Sequence, residues 1–380
     1  MTVLVEQVVA QDRLLTLAMR RSKNVSIHLF GQEIQPETYA ICKADMLLKG
    51  DGEQAEHITY GSTLSADGNA SRQFDFMLSN PPYGKSWKTD AEKMGGKKDI
   101  LDSRFNAYLE DGTSLTMLPK TSDGQLLFLL NNISKMKKDT ELGSRIAEVH
   151  NASSLFSGDA GSGESNARRF VIENDLVEAI IALPENMFYN TSLSTYIWVL
   201  TNKKEARRKG KIQLIDASSM KSPLKKNMGK KNCKLTPDLQ KEIVRIFMSM
   251  EESEVSRIFN NEEFGIWKIT VLQPQLDCDG NPKKDKKGKF VIDKDKTDTE
   301  IVPFTYPNGI KGFMENEVHP YAPYAWVDEK KTQIGYEMSF TKYFYKSVQL
   351  RSMEDIVKEL REIEKDTDGI LSEIVEGRHE

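Results

Sequence analysis

The sequence has few residues that could build a metal centre or a disulfide framework. Its three cysteines, Cys42, Cys233 and Cys278, are far apart and form no CxxC pair, and its five histidines are equally scattered. This spacing indicates neither a disulfide framework nor a zinc knuckle, so we assign no metal site. A run of about 18 apolar residues is missing. The N-terminus also lacks the apolar centre and small-residue cleavage site of a signal peptide. We therefore expect a cytoplasmic protein that does not contact a membrane.

Charge of one sign is not in excess over the chain as a whole. The 380 residues have a net charge of -4 and a pI near 5.9, which argues against DNA binding over the entire surface. A local basic patch is still allowed. Residues 203–234 contain twelve Lys or Arg and only two acids, a local charge of +10. Backbone phosphate contact and a solvated, lysine-rich loop are both compatible with this composition.

The most informative stretch runs from Phe74 to Trp87, FDFMLSNPPYGKSW. Apolar residues fill its first half over the length of a strand, and the run stops at Ser79, Asn80 and two prolines. We predict a buried strand that ends in a rigid loop.

This loop suits one chemical problem. An exocyclic amino group on adenine or cytosine is a poor nucleophile, because its lone pair is delocalised into the ring. The Asn80 side-chain oxygen and the Pro81 carbonyl are acceptors that would draw the two N–H hydrogens and polarise the amino group. Pro81 and Pro82 fix φ without adding a competing donor, and Tyr83 offers a flat face for a flipped-out base. An ordinary Asn-Pro turn is the alternative.

At these residues the chain resembles the modification (M) subunit of type I restriction-modification systems, an adenine-N6 DNA methyltransferase. The similarity extends over LFGQEIQPETYAICKADMLLKG, SDGQLLFLLNNISKMK and LFSGDAGSGESNARRFVIENDLVEAIIALPENMFYNTSLSTYIWVL, and over EVHPYAPYAWVDEKKTQIGYEMSFTKYFY near the end. The resemblance implies an α/β fold with a Rossmann-like, class I S-adenosylmethionine-dependent methyltransferase sheet and a C-terminal helical extension. It also implies adenine-specific DNA methyltransferase activity, with S-adenosylmethionine as the methyl donor.

Residues at the ends of predicted strands are the candidate cofactor contacts, because ligands bind at the carboxyl ends of the strands in open α/β sheets. VSIHLFGQEI predicts a strand whose last polar residue is Glu33, and an acidic residue there typically accepts hydrogen bonds from a ribose diol. The alternative is that Glu33 opens the next helix, where a carboxylate is favoured. Ser62 and Thr63, after the third strand, are weaker candidates for the adenine side of the cofactor, since a plain solvated loop fits equally well. Asn80 is expected to border the cofactor too.

The N-terminus departs from the family pattern. A glycine-rich loop of the DPxxGTG kind, which lets backbone approach the methionine part of S-adenosylmethionine, is expected just before a helix at residues 11–21. That position holds MTVLVEQVVA, without a glycine. We also expect the family's N-terminal helical domain to be missing. We expect an N-terminally truncated product, and catalysis by this chain alone is an open question.

The predicted domains are a methyltransferase core, residues 1–235, and a C-terminal extension, residues 236–380. The extension contains a flexible insert at 279–300 and a partner-binding helix at 352–375. Within the core, KTDAEKMGGKKD predicts a mobile flap. GDAGSGESNARRF looks like a phosphate-binding loop but lacks the GK[ST] ending, so we predict a flexible connection there.

The resemblance implies DNA, the specificity (S) subunit and a second M subunit as partners, with the restriction (R) subunit as a further candidate. Two competing functions stay open. The first is a catalytically inactive remnant that only binds DNA or the S subunit. The second is methylation of protein glutamine, whose side-chain amide poses the same nucleophile problem. The lysine-rich stretches and the C-terminal helix argue against the second.

Overall fold

Short runs of β-branched and aliphatic residues form the centre of a nine-stranded sheet. The run VEAIIA is the clearest, since all six of its residues are buried, as expected for a strand covered on both faces. The strands of the sheet lie in the order β13 (Ser256–Asn260), β10 (Lys211–Asp216), β8 (Val177–Ala182), β9 (Thr195–Thr201), β7 (Arg145–Asn151), β4 (Phe76–Ser79), β1 (Thr2–Glu6), β2 (His28–Glu33) and β3 (Ile58–Tyr60). Strand β9 is antiparallel to both of its neighbours and β13 is antiparallel to β10, while the other pairs are parallel. The predicted α/β class is confirmed.

The strands and helices have the following bounds. The strands are β1 (Thr2–Glu6), β2 (His28–Glu33), β3 (Ile58–Tyr60), β4 (Phe76–Ser79), β5 (Asn106–Tyr108), β6 (Ser114–Thr116), β7 (Arg145–Asn151), β8 (Val177–Ala182), β9 (Thr195–Thr201), β10 (Lys211–Asp216), β11 (Ser222–Met228), β12 (Lys231–Lys234), β13 (Ser256–Asn260), β14 (Gly265–Leu272), β15 (Asp298–Pro303), β16 (Trp326–Val327) and β17 (Gln333–Tyr336). The helices are α1 (Pro36–Leu48), α2 (Gly52–Ala55), α3 (Lys88–Lys93), α4 (Gln125–Ser134), α5 (Ser153–Phe156), α6 (Gly163–Glu173), α7 (Pro237–Ser249), α8 (Gly309–Phe313), α9 (Phe340–Phe344) and α10 (Met353–Glu376).

The computed structural model describes residues 2–6, 27–50, 52–109, 111–189, 191–345 and 352–376. The helix predicted at residues 11–21 lies outside them. The apolar opening of the chain contains β1, which takes the central place between β4 and β2. Because the first glycine of the sequence is Gly31, the connection from β1 to β2 contains none before that strand begins.

The sequence predicts a helix from Pro36 to about Leu48, and α1 confirms it with the same bounds. Pro36 stands at the first turn of α1, where its missing N–H costs nothing, and Cys42 and Met46 turn toward the core. The runs LVEAIIALP and STYIWVLTN predict an antiparallel strand pair, and KIQLIDAS predicts a further strand. The buried β8 and the following β9 form this pair, and β10 is the further strand.

The GDAGSGESNARRF stretch is not the predicted flexible connection, because it includes the start of α6. The Ser162 hydroxyl accepts the backbone N–H of Ser165, a helix cap that sequence inspection missed. A Cβ on Gly163 would lie 1.9 Å from the backbone oxygen of Leu118. Glycine is required here for close packing.

A second, smaller sheet follows the main one in sequence. Strand β14 pairs with β15, β16 and β17, all antiparallel. Two tight turns, around Gly280 and Gly288, occupy most of the predicted insert, and their residues are mainly exposed. The last residues of that insert belong to β15.

The chain divides into two compact units, residues 1–340 and 341–380. The sequence-based division at residue 235 stays a prediction. Helix α10 in the second unit confirms the predicted C-terminal helix and exposes Ile356, Leu360 and Ile363. No helix of the described residues is long and apolar enough to span a membrane.

Arg168 joins α6 to the smaller sheet from a position that is 1% exposed. Its guanidinium donates from Nε to the carbonyl of Tyr336 at 2.5 Å, and from its two terminal nitrogens to the carbonyls of Ser154 at 3.2 Å and Ser157 at 2.8 Å. Burial lowers the pKa of Arg168 to about 10, so the side chain stays charged at neutral pH.

We expect Arg168→Met to lower the free energy of unfolding by roughly 3 kcal/mol or more, because two buried carbonyls and a half-buried one lose their donor. Urea unfolding followed by circular dichroism measures the change. Arg257→Met removes the same charge from an exposed position of β13 and should change stability by about 0.5 kcal/mol or less. Equal losses in the two variants would show that the buried contacts contribute nothing specific.

Candidate active site

Parallel strands that end at the same edge of a sheet bring their following loops together. Loops after β2, β3 and β4 surround a cavity of about 550 Å³. This volume lies within the range of small-molecule sites. The lining residues come from these loops, from α1, from the segment after the Asn-Pro-Pro-Tyr loop and from the start of α4: Gln32, Glu33, Ile34, Gln35, Thr38, Gly61, Ser62, Thr63, Leu64, Asn80, Pro81, Pro82, Lys85, Ser86, Trp87, Asp90, Gly124 and Phe128.

The loop after β4 offers two acceptors at this edge. Asn80 and the buried Pro81 line the cavity, and no described residue donates a hydrogen bond to the Pro81 carbonyl. The Asn80 side-chain oxygen accepts the hydroxyl of Tyr83 at 2.5 Å. An amide oxygen has two lone pairs, so this contact leaves one for a ligand.

Tyr83 is held as a hydrogen-bond donor by its surroundings. Burial raises the pKa of its hydroxyl well above the usual range, and the nearby Glu148 carboxyl adds to the effect. The proton therefore stays on the hydroxyl at every physiological pH. In this arrangement the ring is tied to Asn80, and Tyr83 itself is outside the residues that line the cavity.

Glu33 closes β2 at the cavity wall. One of its carboxylate oxygens accepts the backbone N–H of Gln35 at 2.7 Å, immediately before α1. The other oxygen has no hydrogen-bond partner among the described residues. The geometry thus accommodates both interpretations of Glu33, since one oxygen supports the helix start and the second is available to a ligand.

The loop after β3 is fixed from two sides. Gln32 is 5% exposed, donates its side-chain N–H to the carbonyl of Ala66 at 2.8 Å, and accepts the N–H of Gly68 at 3.1 Å. The Ser62 hydroxyl accepts the N–H of Leu64 at 3.2 Å, so it supports the turn. Thr63 is buried beside it.

Arg104 holds the same loop from outside. Its guanidinium donates to the carbonyls of Thr63 at 2.9 Å and Leu64 at 2.7 Å, and also binds the side-chain oxygens of Asp102 and Asn131. Burial alone would raise the pKa of Asp102, but hydrogen bonds and the charge of Arg104 outweigh it and hold the pKa below its usual value. Both groups are therefore charged, and the loop is preorganised.

The segment after the Asn-Pro-Pro-Tyr loop is part of the cavity wall. The predicted mobile flap instead contains α3, and the preceding Trp87 is 2% exposed, with its indole N–H donated to the carbonyl of Lys120 at 3.0 Å. Asp90 accepts the hydroxyl of Ser65 at 2.6 Å. This contact links the segment to the loop after β3.

A polar cluster is buried beside β4, the strand that leads into the Asn-Pro-Pro-Tyr loop. Glu148 lies next to Ser79 in the parallel register of β7 and β4. Its carboxyl group accepts the side-chain N–H of Asn132 at 2.8 Å and lies 2.8 Å from Nε2 of His150. Both Glu148 and His150 are 0% exposed. Burial raises the pKa of Glu148 to about 8 and lowers that of His150 to about 3, so each group favours its neutral form.

The cavity brings together Glu33, Ser62, Asn80 and the two prolines, which are distant in sequence. Their roles remain predictions. Sequence reasoning missed the wall residues Gln32, Trp87 and Asp90, and it missed Arg104 behind them. Gln32 is adjacent to the strand-end Glu33, a position that could have suggested it. Arg104 carries no local signal of this role, because the two loop carbonyls that it binds, those of Thr63 and Leu64, are 41 and 40 residues away.

The sheet defines the class of protein. Strand β1 has β2 and β3 on one side and β4, β7, β9 and β8 on the other, and β9 is antiparallel to its neighbours. This arrangement is the class I S-adenosylmethionine-dependent methyltransferase fold. The chain belongs to the N-6 DNA Methylase family, whose model matches residues 4–265.

The similar proteins are methyltransferase subunits of type I restriction systems. The chain is 28% identical over 247 residues to the type I restriction enzyme MjaIX methylase subunit of Methanocaldococcus jannaschii, which covers 65% of this chain and 40% of that protein. It is 30% identical over 242 residues to the MpnII methylase subunit of Mycoplasma pneumoniae, which covers 61% and 40%. The type I restriction-modification system methyltransferase subunit from Streptococcus thermophilus superposes with a TM-score of 0.55 at 26% identity, covering 69% of this chain and 51% of that one. The chain spans about 40% of the length of the two curated relatives.

The Glu148 and His150 pair predicts a pH dependence of stability. Between the usual pKa of 4.5 and about 8, folded Glu148 binds a proton that the unfolded chain does not, so its contribution falls as pH rises. His150 acts oppositely between about 3 and its usual 6.5, where stability rises with pH. Because the two oppose each other from 4.5 to 6.5, we expect a net decline between 6.5 and 8.

Glu148→Gln tests whether ionisation of Glu148 causes the decline in stability. A glutamine keeps an acceptor for Asn132 and a donor for His150 but cannot ionise. Between pH 6.5 and 8 we expect the unfolding free energy of the parent to fall relative to that of the variant. Urea unfolding at several pH values measures both. A difference independent of pH would contradict the assignment.

Proposed function

We propose that this chain carries the catalytic part of a DNA adenine-N6 methyltransferase of the type I restriction-modification kind. The observation that carries the proposal is the cavity that joins Glu33 to the Asn80 loop at the carboxyl edge of the sheet. Family membership and the methylase relatives support the same reaction.

The two acceptors of the loop supply the chemistry. Asn80 and the Pro81 carbonyl accept the two hydrogens of the adenine amino group, which moves its nitrogen toward tetrahedral geometry and makes its lone pair available. Pro82 keeps the loop rigid without adding a donor. The preorganised acceptors cost no rearrangement when the amino group becomes positive.

Tyr83 has two roles in this proposal. Its ring stacks on a flipped-out base, and its hydroxyl stays bonded to Asn80 when no base is present. On base entry the ring turns from its position beside Asn80 to stack on the base, and the amide oxygen accepts one of the two adenine hydrogens. The short contact therefore belongs to the DNA-free loop.

The cavity residues fit S-adenosylmethionine. The second Glu33 oxygen is an acceptor suited to a ribose diol, and the loop of Ser62 and Thr63, held by Arg104, suits the adenine side. When bound, the cofactor supplies the sulfonium methyl group. The residues of this chain bind it, exclude water and orient the amino group toward it.

DNA and an S subunit are the partners that we infer. The apolar side chains Ile356, Leu360 and Ile363 recur at helical spacing on α10, among charged residues, and are exposed. Such a stripe suits a helix of another subunit. The restriction subunit and a second methyltransferase subunit are further partners of the proposed assembly.

An inactive remnant is the second candidate function. One sequence observation favours it: the connection between β1 and β2 contains no glycine to let backbone approach the methionine part of the cofactor. In that case the fold persists and only DNA or subunit binding remains.

Cofactor affinity separates the two candidates. We expect the chain to bind S-adenosylmethionine in calorimetry, and Glu33→Gln to weaken binding roughly tenfold, because a charged acceptor is lost. Glu37→Gln removes the same charge from the first turn of α1, outside the cavity lining, and serves as the control. No binding at millimolar cofactor would establish the remnant and refute the enzyme.

Substitution of Asn80 and Tyr83 tests the loop chemistry. We expect Asn80→Ala to lower the rate of methyl transfer by about 100-fold or more while cofactor affinity changes far less. Tyr83→Phe keeps the stacking face and should retain most activity, whereas Tyr83→Ala should not. The assay follows tritiated methyl transfer to unmethylated DNA with the co-expressed S subunit. Full activity in Asn80→Ala would refute the proposed role of the amide.

A further inference from the structure

The exposed lysines of one hairpin have no role in the active site described above. Strands β11 and β12 form a hairpin with a tight turn at Gly229, whose φ of 61° suits glycine. We call residues 221–234 the lysine hairpin. It contains six lysines, and residues 217–237 include no acid. The six are Lys221, Lys225, Lys226, Lys230, Lys231 and Lys234.

The structure separates these lysines from three other basic residues of the 203–234 stretch, which lie beside carboxylates. Lys203, Lys209 and Lys211 are exposed like the hairpin lysines. Lys204 binds Asp175 at 2.6 Å, and Arg208, 2% exposed, lies 3.9 Å from Glu178. Arg207 binds Glu205 at 2.8 Å. In contrast, no hairpin lysine has a carboxylate partner among the described residues, and all but the half-buried Lys231 are exposed.

The hairpin stands at the active-site edge of the main sheet. It follows β10, which is parallel to β8 and ends at the same edge as β4. The loop after β8 anchors it, since the N–H groups of Lys230 and Asn232 donate to the carbonyls of Tyr189 and Asn186, each at 3.1 Å. The Lys231 ammonium lies 4.7 Å from the centre of the Tyr189 ring.

Its distance from the catalytic loop suits one DNA duplex. β10 is four strands from β4. At a spacing of about 4.8 Å per strand, this separation is roughly 19 Å. A duplex rises about 3.4 Å per base pair, so the hairpin would face phosphates roughly six base pairs from a base held at the loop.

We propose that the lysine hairpin binds the DNA phosphate backbone beside the target adenine, without reading sequence. The proposal rests on the proposed function, whose DNA substrate it places on this edge. Unpaired ammonium groups neutralise phosphates and release counterions, which makes the affinity depend steeply on salt. The net charge of -4 on the whole chain has the same sign as DNA but does not prevent this contact. Exposed charges interact over only about 10 Å at 0.1 M salt, so distant acidic residues have little effect on the hairpin.

The test compares two quadruple variants with the same loss of charge. The first is Lys221→Gln, Lys225→Gln, Lys226→Gln and Lys230→Gln. The control is Lys283→Gln, Lys286→Gln, Lys287→Gln and Lys289→Gln, which removes four exposed lysines from the two tight turns between β14 and β15. Fluorescence anisotropy with a duplex of about 30 base pairs and arbitrary sequence gives the dissociation constant of the full chain between about 50 and 200 mM salt.

We expect the hairpin variant to bind roughly tenfold or more weakly, with the slope of log affinity against log salt reduced by about 0.9 for each phosphate that the protein no longer neutralises. The control should keep the parent slope. Thermal unfolding of both variants should match the parent, because the substituted side chains are exposed.

An unchanged slope in the hairpin variant, an equal loss in the control, or a parent chain that does not bind DNA would overturn the proposal. Loss of subunit assembly with unchanged DNA affinity would assign the hairpin to a protein partner instead, and would also overturn it. Calorimetry with S-adenosylmethionine distinguishes failure of the hairpin proposal from failure of the proposed function. A chain that binds S-adenosylmethionine but shows no hairpin effect refutes only the hairpin, whereas weakened DNA binding without cofactor binding refutes only the enzyme.

Discussion

Ser79 lies beside Glu148 in the parallel pairing of β4 and β7, and the candidate site depends on this contact. Strand β4 is only four residues long, and the prolines that follow offer no N–H to extend its ladder. The chain must therefore leave the sheet at Asn80. The neighbouring strand supplies the buried cluster of Glu148, His150 and Asn132, whose hydrogen bonds restrict how the sheet edge can shift.

The cavity wall shows how one cation can organise a loop. The Arg104 guanidinium has five donors in a fixed plane, and it meets two backbone carbonyls, a carboxylate and an amide oxygen at once. Each carbonyl that it satisfies would otherwise need water at the protein surface. A wall built this way exists before a ligand arrives, so less ordering entropy is lost on binding.

Buried and exposed cations of this chain differ in their partners. Buried cations such as Arg168 and Lys204 meet carbonyls or carboxylates, as an ion removed from water must. The hairpin lysines instead remain in solvent on the edge that carries the Asn-Pro-Pro-Tyr loop. The small net charge of the whole protein therefore conceals a local positive surface. Composition alone located this surface only to the 203–234 stretch, and it could not divide the basic residues there into structural and accessible groups.

The sequence by itself determined the local elements and the chemistry of one loop. Apolar runs predicted β4, β8 and β9, and Pro36 marked the start of α1, because strand and helix patterns depend on neighbouring residues. Only the tertiary structure decided that β1 lies between β2 and β4, that Arg104 supports a loop about 40 residues away, and that the supposed flap at α3 forms a cavity wall. These contacts join residues far apart in sequence, so packing and sheet register select them, and no local propensity encodes them.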